Sequence, residues 1–210
     1  MKAMNGILLA VRRRAAEMLA DCRGIAATEF AVIVPIMLVL FFGTVEFSSG
    51  VAVDRKVTLV ARTLSDLTSR AQGPIDDTYL TNVFTASISI LTPYSPTPTN
   101  STISEIYVDS NQVAKVQWSK AATIASGATQ ATLTTSSRSA GDVVTALVPS
   151  PLLVKQTYLI LSEVSYRYVP TIGYVMAKTG VNLSDVAYTR PRQFVCVTYN
   201  NVPSTSCPIP

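Results

Sequence analysis

Glu29 is the residue of this sequence whose chemistry most needs explaining. It stands in "CRGIAATEFAVIVPIMLVLFFGTVEF", Cys22 to Phe47, and the stretch Ile25 to Val45 holds no other charged group. An acid at mid-membrane costs about 2.5 to 3.5 kcal/mol on insertion scales. Other candidates for chemistry are few. The chain has no histidine, which removes the commonest general base and the commonest neutral metal ligand together. No G-x-S-x-G, H-E-x-x-H, Walker A, G-x-G-x-x-G or S-x-x-K pattern occurs. Asp76 and Asp77, adjacent acids in a Gly/Pro turn, read as a helix cap rather than a metal or catalytic pair. Asp109 and Asn111 could open a calcium loop, but the required glycine is missing and Lys120 stands where the closing glutamate belongs, so they predict a turn. Tyr166 and Tyr168 share one strand face, and Trp118 reads as core. The expectation is a protein that is not an enzyme, with no cofactor and no metal.

The elements around Glu29 follow from hydropathy and charge. Mean hydropathy is +0.33 and only 14% of the 210 residues are charged, which points to a membrane-attached chain. Ile25 to Val45 would form about 32 Å of helix, one hydrocarbon core, with Pro35 tolerated inside it. Lys2, Arg12, Arg13, Arg14 and Arg23 outnumber Glu17 and Asp21 before it, so the leader is expected in the cytoplasm. Residues after Phe47 then lie across the membrane, in a bacterium the periplasm. Cys22 falls on the reducing side. Cys196 and Cys207 fall in the oxidising compartment, where pairing would contribute roughly 3 kcal/mol; two unpaired thiols are the alternative. A cleaved secretory signal fits poorly, since an acid interrupts the apolar run and "SSGVAVDRK" offers no A-x-A site. The net charge of +4 comes from scattered basic residues, so no nucleic-acid interface is expected.

Past the membrane, Val53, Val57, Val60, Leu64, Leu67 and Ala71 recur at spacings of four and three, one face of a helix. The helix is expected to run to about Ala71, before Gly73 and Pro74, giving with the span a rod of roughly 70 Å. Arg62 and Asp66, one turn apart, suggest a weak ion pair. "TYLTNVFTASISIL" predicts a second helix and "TPYSPTPTNST" a loop. "ISEIYVDSNQVAKVQWSKA" predicts a hairpin, the Ser/Thr/Ala-rich stretch after it loops with one irregular element, and "TYLILSEVSYRYVP" and "RQFVCVTYN" two more strands. The fold class is α+β: a long transmembrane helix continuing as an amphipathic helix packed on an antiparallel sheet. The divisions are 1–24 leader, 25–47 transmembrane helix, 48–72 stalk and 73–210 periplasmic domain.

"R-G-I-A-A-T-E-F" sets a glycine directly before the apolar helix and an acid at the fifth residue after it, followed by an aromatic. This resembles the processing site of type IV prepilins, most closely the TadE-like minor pseudopilins of tight-adherence (Flp/Tad) pili. "EFAVIVPIMLVLFFGTVEF", "VARTLSDLTSR" and "EVSYRY" are similar to that family too. The resemblance spans roughly Arg23 to Arg70. It implies cleavage between Gly24 and Ile25 by a membrane prepilin peptidase, with Gly24 the small residue at the scissile bond and Ile25 the new N-terminus. Glu29 would be the helix carboxylate and Phe30 its aromatic neighbour. Implied partners are that peptidase, the pilus assembly platform and other pilins or pseudopilins. Physically, cleavage would leave an ammonium at the start of a bilayer helix, and Glu29 offers the counter-charge, in the same subunit or a neighbour. The competing reading is an uncleaved single-pass inner-membrane protein with a periplasmic ligand-binding or scaffolding domain.

Overall fold

The computed structural model describes residues 12–17, 24–170 and 179–200. The chain divides into two compact units, Met1–Glu46 and Phe47–Pro210. In the first, residues 12–17 are helical, with Arg13 and Glu17 paired one turn apart at 3.3 Å. Helix α1, Gly24–Ser69, then begins and carries Pro35 in its interior. Along the apolar run Ile33, Met37, Val39, Leu40 and Phe41 all stand exposed. A helix apolar all round with none of its apolar window buried has the surface that hydrocarbon solvates. It is long and apolar enough to cross a membrane once.

In the second unit α1 turns amphipathic as its pattern requires. Val53, Val57, Val60, Ala61 and Leu64 are buried and Leu59 is exposed. The helix ends at Ser69, two residues before the expected Ala71, because its last carbonyls find partners elsewhere. Ser69 O accepts from Arg192 N at 2.9 Å, and Arg70 N and Ala71 N fold back in i−3 bonds to Leu67 and Thr68. Asp66 does not pair with Arg62; it binds Arg70 at 2.7 Å and Arg192 at 2.8 Å. Helix α2, Asp77–Ile88, is capped by Asp76, whose carboxylate accepts from Tyr79 N at 2.7 Å, as the adjacent acids predicted. A 3-10 turn, Ser89–Leu91, closes it.

The five strands are β1 Thr99–Val108, β2 Ala114–Thr123, β3 Thr132–Thr135, β4 Thr157–Tyr168 and β5 Val181–Thr189, in antiparallel order β3-β2-β1-β4-β5. The expected hairpin is β1–β2. Asp109 closes it, its Oδ1 accepting from Asn111 N and Val113 N, so the residues of the calcium-like pattern form a turn. Two corrections to the sequence reading are large. The proline-rich loop stops at Pro98, and the "TNST" after it opens the central strand. The expected strand "RQFVCVTYN" is not in the sheet; it bends and makes a single parallel bridge, Tyr199 to Ile75, while β5, unforeseen, takes the edge.

Both sheet faces are covered. The face carrying Ile103, Trp118, Ile160, Val164, Tyr166 and Tyr168 packs with the stalk stripe and with Leu80, Phe84 and Ile88 of α2. A smaller core of Ile106, Val108, Ala114, Val116, Leu159 and Leu161 gathers Val144 and Val148 on the other. A bulge links the two. Glu105 opposes Trp118 but Ile106 opposes Val116, so Gln117 is the extra residue. That one insertion lets Trp118 face one core and Val116 the other, where strict alternation would put them on one side.

Candidate functional site

The residues of the processing-like motif sit at the start of α1. Ile25 and Phe30 are exposed, Phe30 by 68%, and Glu29 projects one turn after Ile25. Thr28 Oγ1 donates back to Ile25 O at 2.8 Å. A Cβ placed on Gly24 would meet no atom within 4 Å, and its backbone is not left-handed. Packing of the described residues therefore sets no demand for glycine there.

A second acid was not foreseen. Glu105, on β1 opposite the bulge in β2, is 0% exposed. Its carboxylate accepts from Val197 N at 2.5 Å and from Trp118 Nε1 at 3.1 Å, while Trp118 Nε1 also donates to Val197 O at 2.7 Å. Burial pushes Glu105 up to about 8, against the opposing pull of the bonds from Val197 and Trp118. The sequence held no signal for this, since "SEIYV" reads as any half-exposed strand.

Glu105 and Trp118 thereby hold the 190–200 segment to the sheet, and further bonds complete the attachment. Ile75 N donates to Thr198 O at 2.8 Å and Asn200 N to Ile75 O at 3.1 Å. The Tyr199 hydroxyl donates to Asp77, and Lys120 Nζ stands 4.9 Å from the Tyr199 ring centre. Cys196 is buried in this segment, and its expected partner Cys207 lies outside the described residues. Tyr166 and Tyr168 are core residues, as their shared face implied. Arg138 and Glu163 form a two-pronged ion pair on the opposite face, with Nη2 to Oε1 at 2.8 Å.

Residues 24–64 match the family model for TadE-like proteins. No curated protein and no solved structure matches the chain. The matched segment opens at Gly24, the first residue of α1, and takes in the whole apolar run and most of the buried stalk stripe.

Proposed function

From the TadE-like segment at residues 24–64 we propose that the chain is a minor pseudopilin of a tight-adherence pilus system, matured by cleavage between Gly24 and Ile25. It acts as a substrate and structural subunit, not as an enzyme. The observation that carries this reading is the family match over residues 24–64, which supports involvement in such a system and opens at the exposed, sterically undemanding Gly24. Its partners are a prepilin peptidase, the assembly platform and other pilins. The leader stays cytoplasmic, α1 crosses the inner membrane once, and the sheet domain lies in the periplasm. Cys196 pairs there with Cys207.

Mechanistically, the chain supplies three things. Gly24 presents an unhindered peptide bond at the membrane face. After hydrolysis the Ile25 ammonium would be costly in a medium of low dielectric, and Glu29, one turn on, neutralises it or the corresponding amine of a neighbour. The apolar remainder of the run keeps the subunit in the bilayer until helices bundle.

Intact mass and N-terminal sequencing of the protein from cells containing a prepilin peptidase test the assignment. A mature chain beginning at Ile25 is expected, and Gly24→Arg should accumulate the full-length precursor. A retained Met1 in wild type would instead favour the uncleaved single-pass reading.

A further inference from the structure

Among the described residues of the second unit, an apolar groove opens at the edge of the larger core. A groove of about 190 Å³ is lined by Phe47, Gly50, Val51 and Asp54 of α1 and by Tyr168, Val181 and Leu183 of the sheet. Phe47 is 67% exposed and Val51 38%; Val169, directly after β4, is 56% exposed. These side chains come from three places in the sequence yet gather at one end of the sheet, where β4 finishes and β5 starts.

The geometry points to the bilayer surface as the occupant: we infer that this end of the sheet domain rests in the interfacial layer of the membrane its own helix crosses. The inference rests on the single-pass reading above. Three observations select lipid. First, Phe47 and Val51 follow the last residue of the apolar run, Val45, by two and six positions, so chain connectivity alone keeps them near the headgroups. Second, Arg55 follows Val51 by one helical turn on the same face, and Arg167 stands exposed beside Val169, its guanidinium donating to Thr179 O at 2.8 Å. Apolar side chains with cations just beyond them suit acyl chains below phosphates. Third, three exposed apolar side chains fall far short of the roughly 20–30 residues a side of a stable protein interface.

Tryptophan probes in the full chain, one copy per nanodisc, test this against lipids brominated at shallow or deep acyl positions, with the emission of the parent chain subtracted. Val169→Trp should lose emission under shallow bromine, whereas Val143→Trp, an exposed apolar position beside the other core, should not. Equal emission from the two would overturn the inference. Val39→Trp, inside the run, reports the anchoring separately: its quenching by deep bromine with none at Val169 leaves the membrane reading standing and removes only the docked face. Loss of quenching at Val39 removes both. A blue shift at Val169 that grows with protein-to-lipid ratio and ignores bromine would make a second copy the occupant and overturn lipid.

Discussion

At the residue scale two carboxylates matter to the proposal and to the fold: Glu29, exposed within the apolar run, and Glu105, buried in the sheet. In the proposed assembly Glu29 pairs with the ammonium freed at Ile25, so Glu29→Ala should allow cleavage yet lower pilus assembly. Normal maturation with unchanged piliation, scored by intact mass and filament counts, would remove the pairing role. Glu105 is held by Trp118 and Val197, and its effect is on stability. The folded chain keeps the Glu105 proton up to about pH 8, whereas an unfolded chain releases it near 4.5. Between those values the folded state binds more protons, so this contribution is complete below about pH 4.5 and is lost as pH rises through 8. Its size is on the order of a few kcal/mol. Urea titrations of the detergent-solubilised chain should show stability falling across that window in wild type, and Glu105→Gln should flatten the dependence. Glu29 stands out in the sequence because it interrupts an apolar run; Glu105 does not, because its donor Val197 stands 92 positions away.

At the scale of elements, the stalk stripe was readable because a period near 3.6 is local and the positions it selects, Val53 to Leu64, are those the core buries. Leu64→Ala should destabilise the domain by about 2–5 kcal/mol, while Leu59→Ala, on the exposed side of the same helix, should change it little. Denaturation of the two variants under one condition makes the comparison. The exchange of strands between β5 and the 190–200 segment has a physical cause. "RQFVCVTYN" has the apolar, β-branched composition of a strand, but Glu105 and Trp118 take up Val197's backbone groups. "VNLSDVAYT" contains Asn and Asp, poor strand formers in isolation, and is accepted because only one of its edges pairs with β4. Asp185 Oδ1 accepts from Val186 N at 2.7 Å, a local bond within the strand.

For the whole molecule, the sheet domain has two modest cores and a C-terminal segment bound largely by side-chain clamps, so a covalent closure there matters. Reduction, or Cys207→Ser, should lower domain stability by roughly 3 kcal/mol if the proposed bridge to Cys196 forms. Intact mass before and after reduction with alkylation checks the pairing directly; unchanged alkylation counts would remove it. By itself the sequence determined an apolar run long enough to cross a membrane, the glycine–acid–aromatic register at its start and the amphipathic continuation, since each is a pattern of neighbours within one helix. The strand order, the bulge at Gln117 that divides two cores and the burial of Glu105 were decided only in the folded chain. These depend on which distant segments meet, and the free energy of a buried carboxylate is set by the groups that surround it in space.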